Sequence, residues 1–363
     1  MITRMSKKLK VAVLYGGKST EHEVSVHSAR PVCAELIASG KYEVISVFID
    51  RDGKWFLQRV CGPKTQTDQP ITPVISQQGN LFLPLLNEYL QADVFFPVLH
   101  GTNGEDGTLQ GLLESMDVPY TGCGVLASAM GMDKELSKLA AERCGVPTLP
   151  YKKLSRSAGY NFESLTSWAA EMGYPLFVKP VRLGSSVGVT KVKSADTLRQ
   201  AVDFAFRFDS DVLVEKGVEN AREIFCGLFG EGETVRSSEC GELKTLKSEF
   251  FDYQAKYITE GGCETRVPAD LPTVTQDLIR RQSRAVFKEL GGCGLARVDF
   301  LMDGNGKAWF SEINTLPGMS HTSLYPQLFE ASGLAYGEIL DGVIKIAFDV
   351  YARKKKLSLE RSE

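Results

Sequence analysis

The sequence predicts an α/β N-terminal domain followed by two α+β domains. Over roughly the first 120 residues, short β-branched segments alternate with helical ones, which is typical of a parallel sheet. After that point, strands gather around single helices, which is typical of α+β structure. The length of 363 residues suggests two or three domains, each large enough for its own core. We place these domains at residues 1–120, 121–215 and 216–363.

The order of the elements follows from runs of β-branched and aromatic residues and from helical periodicity. In the N-terminal domain, strands are predicted over 8–15, 44–49 and 93–99. A helix is predicted to start near Val24, and Pro31 either kinks this helix or marks its true start. A second helix covers 108–116. The central domain has a helical segment at 124–144, strands at 176–179, 189–193 and 212–215, and a helix at 195–207. The C-terminal domain has a loop at 252–262, helices at 273–290 and 336–351, and a hairpin between them.

The composition narrows the classes of partner and compartment. Lys and Arg number 42 against 45 Asp and Glu, a net charge of −3, which argues against nucleic acid or an anionic membrane as the main partner. The apolar run at 94–99 is far shorter than the roughly 20 residues of a membrane span. The run at 11–15 is too short for a signal-peptide core. Eight cysteines without a CxxC pair indicate free thiols in a reducing compartment, so we expect a cytoplasmic protein.

Several short motifs match familiar patterns but lack the required context. Gly184–Gly188 reads GxSxG, but a predicted strand follows it instead of the helix that a nucleophile elbow requires. The segment at 12–20 approaches a P-loop, yet Ala12 stands where the first glycine is needed. His22 and His27 are five residues apart, which separates them by about 140° on a helix and argues against a zinc pair. We therefore expect neither a hydrolase elbow nor a zinc site.

An acidic hairpin is the strongest signal for chemistry. Segments 297–301 and 309–314 flank Asn305-Gly306, the preferred two-residue type I′ turn. A turn centred there pairs Asp299 with Glu312. It also pairs Arg297 with Asn314, and the alternation of side chains puts all four on one face. Trp309 is then expected on the opposite, core face.

This face predicts a magnesium site beside an apolar floor. Two opposed carboxylates repel each other unless something neutralises them, and a divalent cation would do so. Asp299, Glu312 and Asn314 supply hard oxygens, which favours Mg²⁺ between carboxylates and substrate phosphates. Leu301 and Phe310 would extend the face as a surface suited to a purine. The alternative is a hairpin with a solvated polar face.

Two loops add groups that suit an anion and a small substrate. Lys179 ends a buried strand, and the glycine- and serine-containing turn after it offers hydroxyls and backbone N–H groups to an anion, although a plain hairpin loop is the alternative. The loop at 100–107 follows another buried strand, and the loop at 16–21 should open on the same sheet edge. Glu21, His22 and His100 are then expected to meet, with His100 as an orienting group.

Seven motifs in order resemble a known family. They are GGKSTEHEVS (16–25), HGTNGEDGTLQG (100–111), MDK (132–134), VKPVRLGSSVGV (178–189), FFDYQAKY (250–257), ARVDF (296–300) and EINTLPGMSHTSLYP (312–326). Together they are similar to the motif set of the D-alanine:D-alanine ligases of the ATP-grasp superfamily. The resemblance implies an ATP-grasp fold that follows an N-terminal parallel-sheet, or pre-ATP-grasp, domain. It also implies that the nucleotide is clamped between the halves 121–215 and 216–350.

The resemblance also implies roles for individual residues at the nucleotide end. Lys134 and Lys179 would hold phosphates, while Phe250 and Leu301 would sandwich the adenine. The implied ATP-binding set is Lys134, Lys179, Ser186, Glu215, Lys216, Val218, Glu223, Phe250 and Leu301. Asp299, Glu312 and Asn314 match the ligands of two Mg²⁺ or Mn²⁺ ions.

At the amino-acid end, the resemblance implies one catalytic and one substrate-binding set. The catalytic residues would be Glu21, Ser185, Tyr257, Arg297 and Gly318. The substrate-binding residues would be His100, Lys256, Ser323 and Leu324. The segment at 252–262 would act as a lid that keeps water from an acyl phosphate.

The function implied is ATP-dependent ligation of two D-alanines through an acyl phosphate, for peptidoglycan synthesis, by a homodimer acting on small molecules. Lys256, Tyr257 and Leu324 favour D-alanine over D-lactate or D-serine as the acceptor. One departure is that some members have His directly before the serine matching Ser323, where this chain has Thr322. The alternatives are a D-alanine:D-serine or other D-alanine ligase of the superfamily, and a nucleotide-binding module without turnover.

Overall fold

The structure, a computed structural model, describes residues 8–75, 78–245 and 263–357. Its strands form three sheets, of seven, four and five strands. The predicted combination of α/β and α+β structure is confirmed. Within the described ranges, no helix has both the length and the hydropathy that crossing a lipid bilayer requires.

The seven-stranded sheet is mixed. Its strands in chain order are β1 (Leu9–Gly16), β2 (Tyr42–Ile49), β3 (Trp55–Gln58), β4 (Gln69–Pro73), β5 (Asn80–Leu83), β6 (Glu88–Gln91) and β7 (Val94–Pro97). Their spatial order is β6-β5-β4-β3-β2-β1-β7. Strand β1 pairs in parallel with β2 and β7, whereas β2 through β6 form an antiparallel meander.

The prediction of a wholly parallel sheet was therefore wrong for residues 50–92. Parallel neighbours need a crossover of a dozen or more residues, whereas a few turn residues suffice for an antiparallel hairpin. The loop between β2 and β3 is such a short turn. The Asp50 N–H donates to the Lys54 carbonyl at 2.9 Å, and Gly53 takes a φ of +83°.

Helices cover both faces of this sheet. Helix α1 (His22–Ala38) starts two residues before the predicted Val24 and contains Pro31 within it, and helix α2 is Thr108–Ser115. Alternate residues of β1 enter two cores: Val11 packs with α1 and with the C-terminal helix α9 (Tyr336–Lys354), and Leu14 packs with α2. The C-terminal helix thus belongs to the core of the N-terminal sheet.

The four-stranded antiparallel sheet has the order β10-β9-β11-β8. Its strands are β8 (Tyr151–Ser155), β9 (Leu176–Pro180), β10 (Thr190–Val192) and β11 (Asp211–Lys216), with helices α5 (Phe162–Met172) and α6 (Leu198–Ala205). The predicted helix at 124–144 is two helices, α3 (Val125–Met132) and α4 (Lys134–Arg143). Asp133 separates them because its side chain accepts the Glu135 and Leu136 N–H groups, both at 3.0 Å, and so caps α4.

The five-stranded antiparallel sheet has the order β14-β13-β12-β15-β16. Its strands are β12 (Arg222–Glu231), β13 (Arg236–Thr245), β14 (Cys263–Arg266), β15 (Cys293–Met302) and β16 (Ala308–Asn314), and its helices are α7 (Thr273–Glu289) and α8 (Leu324–Glu330). Ala140 of α4 and Phe287 of α7 share one core with this sheet. Helix α4 therefore packs on the five-stranded sheet.

The β15–β16 hairpin combines a longer turn with a bulge. The Asp303 N–H donates to the Lys307 carbonyl at 3.0 Å, which leaves three loop residues instead of the two predicted. Gly306 has a φ of +79°, whereas Asn305 does not have the positive φ that a type I′ turn requires. One extra residue, Ser311, then bulges from β16, so that Asp299 lies opposite Glu312 as predicted.

Because of the bulge, two aromatic residues exchange faces relative to the prediction. Phe310 is fully buried against Phe300 in the core, with ring centroids 6.2 Å apart, and is not part of the floor of the site. Trp309, expected in the core, lies opposite Leu301, and its indole N–H donates to Asp303 at 3.0 Å.

Candidate active site

A cleft of about 1680 Å³ opens between the three sheets. All the residues of the predicted catalytic, substrate-binding, ATP-binding and metal-binding sets within the described ranges line it: Glu21, His100, Lys134, Lys179, Ser185, Ser186, Glu215, Lys216, Val218, Glu223, Arg297, Asp299, Leu301, Glu312, Asn314, Gly318, Ser323 and Leu324. Phe250, Lys256, Tyr257 and the predicted lid at 252–262 lie outside the described residues.

The N-terminal sheet contributes Glu21 and His100. Strands β1 and β7 are parallel neighbours, so the loops at their carboxyl ends open on the same edge, as expected. Glu21 is 7% exposed and accepts a hydrogen bond from the Ser185 hydroxyl of the loop after β9. A Cβ at position 101 would lie 2.6 Å from a Glu21 carboxylate oxygen, so Gly101 leaves room for that side chain. This contact joins the N-terminal sheet to the four-stranded one.

His22 does not join this group, contrary to the prediction. Its Nδ1 lies 2.8 Å from the Gly17 carbonyl oxygen, and its ring packs against Phe48. The position at the start of α1 directs the imidazole toward the β1 loop. His22 therefore stabilises that loop, while Glu21 beside it enters the cleft.

His100 has a partner that sequence reasoning missed. Its Nδ1 lies 3.5 Å from the carboxylate of Glu105, and both residues are buried. The Nε2 atom is also buried, and it has no hydrogen-bond partner among the residues that the structure describes. The ring lies beside Gly318, where a Cβ would be 3.8 Å from His100 Cε1. If Nδ1 carries the proton and donates it to Glu105, Nε2 of the neutral ring is a hydrogen-bond acceptor.

Four charged side chains form a cluster at the wall of the cleft. The Glu215 carboxylate is 2% exposed and contacts the ammonium groups of both Lys138 and Lys179. Burial raises the pKa of Glu215, but the two lysines lower it by more, so the net pKa lies below its usual range. Burial lowers the pKa of Lys134 and of Lys138. Lys134 also donates to the Leu183 carbonyl at 2.6 Å.

The turn after β9 has strained backbone at its serines. Ser185 and Ser186 have φ values of +53° and +57°, in the left-handed region that non-glycine residues rarely adopt. Such conformations cost free energy and are concentrated at functional sites. Both serines line the cleft, as Lys179 does.

The acidic face of the hairpin is already balanced by cations. Arg297 donates two hydrogen bonds to Asp299, at 2.7 and 2.8 Å. Glu312 lies 3.9 Å from the Lys134 ammonium. The repulsion between the two carboxylates therefore does not by itself require a metal ion, and the metal site stays a prediction.

The register of the five-stranded sheet positions the residues of the predicted nucleotide end. Glu223 of β12 lies opposite Leu301 of β15, and both line the cleft. Phe225, which sequence reasoning missed, lies opposite Asp299, with the Arg297 guanidinium 5.4 Å from its ring centroid. Hydropathy alone places such a phenylalanine in the core, so the sequence offered no signal for it.

At the other end, Ser323 lies at the start of α8 in a hydroxyl cluster. The Ser323 hydroxyl accepts from the Ser320 N–H at 3.1 Å, and its oxygen is 2.7 Å from the Ser320 hydroxyl oxygen. A Cβ at position 318 would lie 2.9 Å from this oxygen, so the glycine allows a close approach. Leu324 follows directly and gives this end of the cleft an apolar side chain.

Comparison with known proteins identifies the family. The family models described as D-ala D-ala ligase N-terminus and D-ala D-ala ligase C-terminus match residues 10–123 and 140–345. The chain belongs to the D-alanine–D-alanine ligase family. The resemblance inferred from the seven motifs is thereby confirmed.

Relatives in this family match over nearly the whole chain. D-alanine–D-alanine ligase of Thermoanaerobacter sp. (strain X514) is 40% identical over 358 residues, which covers 96% of this chain and 99% of the relative. D-alanine–D-alanine ligase A of Bradyrhizobium diazoefficiens is 41% identical over 374 residues, which covers 98% of this chain and 99% of the relative.

Solved structures of ligases are also similar to this chain. The D-alanine-D-alanine ligase from Coxiella burnetii matches with a TM-score of 0.85 at 34% identity, covering 97% of each chain. The VanG D-Ala:D-Ser ligase from Enterococcus faecalis matches with a TM-score of 0.81 at 32% identity, covering 94% of this chain and 100% of that one. The fold alone therefore does not distinguish between these acceptors.

The hairpin residues of this family member fit a hard divalent cation. Asp299, Glu312 and Asn314 present carboxylate and amide oxygens to one cleft, the donor type that Mg²⁺ and Mn²⁺ prefer. In the described part of the chain, no group of three or more His, Cys, Asp or Glu residues is arranged to hold a metal, so the third donor would be the amide. One lone pair of its oxygen accepts the Leu316 N–H at 2.8 Å and so orients the side chain.

Proposed function

We propose that this protein joins two D-alanines to D-alanyl-D-alanine with conversion of ATP to ADP and phosphate, and so supplies the dipeptide for peptidoglycan. The observation that supports the proposal is one cleft that brings together the ammonium groups of Lys134 and Lys179, an acidic hairpin face and the Glu21–Ser185 contact. Membership of the D-alanine–D-alanine ligase family supports it.

The first step activates a carboxylate. An oxygen of the first D-alanine attacks the γ-phosphorus of ATP, the bond to the β-phosphate oxygen breaks, and ADP leaves behind an acyl phosphate. Lys134 and Lys179 offset negative charge on the phosphates. Glu21 binds the ammonium of this D-alanine, and the Ser185 hydroxyl holds the Glu21 carboxylate in place. Asp299, Glu312 and Asn314 would hold Mg²⁺ or Mn²⁺, which neutralises phosphate charge.

The second step forms the peptide bond. The amine of the second D-alanine loses a proton and adds to the acyl carbonyl, and the carbon–oxygen bond to phosphate then breaks. Arg297 and the Gly318 N–H stabilise the tetrahedral oxyanion. Ser323 binds the carboxylate of the second D-alanine. His100 orients the first substrate through its buried Nε2, with Glu105 on its other nitrogen.

The acceptor is D-alanine in this proposal because Leu324 is apolar. A site that selects a hydroxylated acceptor needs a polar partner for that hydroxyl, and Leu324 supplies none. The likeness to the VanG D-Ala:D-Ser ligase makes D-serine the second candidate.

We also infer a cytoplasmic location and, along the chain, the division at 1–120, 121–215 and 216–363, with helices α4 and α9 packing across its boundaries. The cysteines that the structure describes are free thiols, which suits a reducing compartment. The gap between the two family matches, at 124–139, supports a boundary near residue 120. A homodimer is expected, and light scattering after gel filtration tests it directly.

Product analysis tests the function. ADP release is measured with D-alanine alone, with D-alanine plus D-serine and with D-alanine plus D-lactate, and the products are identified by mass spectrometry. We expect D-alanine alone to stimulate release and to give the dipeptide. Release that depends on D-serine would favour the second candidate. Nucleotide binding without stimulated release under any of the three conditions would overturn a ligase function and leave a binding module.

A further inference from the structure

A lysine that does not reach the cleft lies directly behind its wall. Lys138 is one helical turn after Lys134 on α4, so both side chains leave the same face of the helix. The side chain of Lys134 reaches the cleft, whereas that of Lys138 is 0% exposed. Burying an ammonium group away from water costs free energy unless hydrogen-bonding or charged partners surround it.

The partners of Lys138 come from both sheets that enclose the nucleotide end. Its ammonium forms an ion pair with Glu215, at the end of β11 in the four-stranded sheet. It also donates to the Phe310 carbonyl of β16 in the five-stranded sheet at 3.3 Å. The Tyr151 and Phe310 rings lie 5.9 and 6.0 Å from the same nitrogen.

Glu215 connects Lys138 to a lysine that lines the cleft. One of its carboxylate oxygens faces Lys138, and the other accepts from Lys179, whose side chain is 13% exposed and lines the cleft. We propose that Lys138 is a positioning residue, which holds Glu215 and through it Lys179 in the place where Lys179 meets the nucleotide. This inference rests on the proposed function, because it assigns the cleft a nucleotide.

The charges explain why an ammonium is useful at this position. Lys138 and Lys179 flank one carboxylate, so the three groups together carry one net positive charge, which suits phosphate. Without Lys138, Glu215 and Lys179 form a neutral pair, and one carboxylate oxygen loses its partner. An apolar side chain would fill the same space without the cost of burying a charge, so packing alone does not account for a lysine.

The carbonyl contact links this group to the hairpin. Phe310 directly precedes Ser311, the bulged residue that brings Glu312 to the cleft face. The Lys138 ammonium thus contacts both the Glu215–Lys179 pair and the strand that carries Glu312. It sets the two halves of the nucleotide site relative to each other.

The Lys138→Met variant tests the inference. Methionine keeps the length of the side chain without the charge, and the dissociation constant of Mg²⁺–ADP is measured by calorimetry from pH 6 to pH 8.5. We expect about tenfold weaker binding at neutral pH, the usual scale for losing a hydrogen bond to a charged group. Lys153→Met is the matched control, because Lys153 of β8 forms an ion pair with Glu135 of α4 at 2.6 Å, away from the cleft. Binding of Mg²⁺–ADP to this variant should be unchanged.

The pH profile separates positioning from a merely structural role. Besides Lys138, the charged or titratable groups around Glu215 are Lys179 of β9, Lys134 of α4 and Tyr151 of β8. Removing Lys138 raises the pKa of Glu215, so protonation at low pH releases Lys179. The ratio of the variant to the wild-type dissociation constant should therefore grow as the pH falls. Equal affinity of both proteins at every pH would overturn the role of Lys138.

A double variant covers the case in which Lys138→Met does not fold. Lys138→Met with Glu215→Gln removes both buried charges, which is better tolerated than leaving one unpaired. We expect it to bind Mg²⁺–ADP about tenfold more weakly than wild type, with a ratio that does not change with pH. Wild-type affinity in this protein would overturn the inference. If wild type itself bound no nucleotide, the proposed function would fail, and this inference with it.

Discussion

Asp299 and Glu312 lie opposite each other in the hairpin, and each has a cation near it. Arg297 donates two hydrogen bonds to Asp299, and the Lys134 ammonium is 3.9 Å from Glu312. The protein therefore holds this acidic face together with its own side chains. In the proposed function, a metal ion would act on the phosphates of the substrate, and we expect the fold to persist without it.

The Glu312→Gln variant tests this separation. We expect turnover to fall by about 100-fold or more, because a metal ligand of the proposed site loses its charge. The free energy of unfolding should change by less than about 1 kcal/mol, since the Lys134 contact is partly exposed. ADP release, Mn²⁺ binding by electron paramagnetic resonance and urea denaturation are measured.

A matched control is Glu264→Gln, an exposed carboxylate in the same sheet. It should retain activity and Mn²⁺ binding. Wild-type turnover in Glu312→Gln would contradict the metal assignment.

Substitution of Gly318 by alanine adds one methyl group and tests the part of the cleft that is proposed to bind the second D-alanine. An added Cβ would lie 2.9 Å from the Ser323 oxygen, so the serine must move. We expect Gly318→Ala to raise the KM for the second D-alanine about tenfold, the equivalent of about 1.4 kcal/mol, and to leave the KM for ATP nearly unchanged. Gly111→Ala is the control, because its Cβ would meet nothing within 4 Å. An unchanged KM for D-alanine would show that Ser323 does not bind the acceptor.

At the scale of elements, the β15–β16 hairpin shows how two irregularities offset each other. Its turn has one more residue than the predicted two-residue turn, and Ser311 adds one residue to β16. The pairing of Asp299 with Glu312 therefore agrees with the prediction, although the pairing nearer the turn does not. The faces of Trp309 and Phe310, which lie between the two irregularities, are exchanged.

The Gly306→Ala variant tests the observed turn. A side chain at a φ of +79° costs about 1 kcal/mol, so the urea midpoint followed by tryptophan fluorescence should fall. Gly304→Ala in the same loop should have little effect, because its Cβ would meet nothing within 4 Å and its φ is not positive. Equal effects of the two substitutions would contradict this turn geometry.

At the scale of the whole molecule, the cleft exists because three sheets contribute to it. Glu21 from the N-terminal sheet and Ser185 from the four-stranded sheet meet in a hydrogen bond, and the five-stranded sheet supplies the acidic hairpin. Each sheet has a core, but none contains the complete set of residues. Catalysis in the proposed reaction therefore depends on contacts between sheets.

A double-mutant cycle on Glu21→Gln and Ser185→Ala measures this dependence. Because the two side chains share one hydrogen bond, we expect their effects on kcat/KM for D-alanine to be non-additive by about 1 kcal/mol or more. The control cycle combines Glu21→Gln with Ser311→Ala, since Ser311 is a serine of the five-stranded sheet that also lines the cleft. The effects of these two substitutions should be additive. Additivity in the Glu21–Ser185 cycle would show that the contact does not act in catalysis.

Local patterns in the sequence were enough for the strands at the core of each sheet. Runs of β-branched residues located β1, β2, β7 and β11 to within a few residues, because burial on both faces leaves a continuous apolar signal. The meander β3–β6 was missed because its strands are short and half-buried, so they lack that signal.

For the candidate site, the sequence predicted residues that lie within contiguous motifs. It did not predict residues whose role depends on contacts with distant parts of the chain. Glu21, Lys179 and Asp299 lie in motifs with a clear local pattern, and the structure brings them to one cleft. Glu105 lay inside a quoted motif, but its pairing with His100 was not foreseen. Lys138 reads as an ordinary helical lysine until β11 and β16 place Glu215 and the Phe310 carbonyl around it.

The amino-acid order thus specified the family, the pairing of Asp299 with Glu312 in the hairpin and most of the groups that line the cleft, since these depend on neighbours a few residues apart. The balance of charge around Asp299 and Glu312, the exchanged faces of Trp309 and Phe310, and the burial of Lys138 depend on contacts between residues far apart in the chain. Those contacts arise from packing of sheets and helices in three dimensions, which no local pattern encodes.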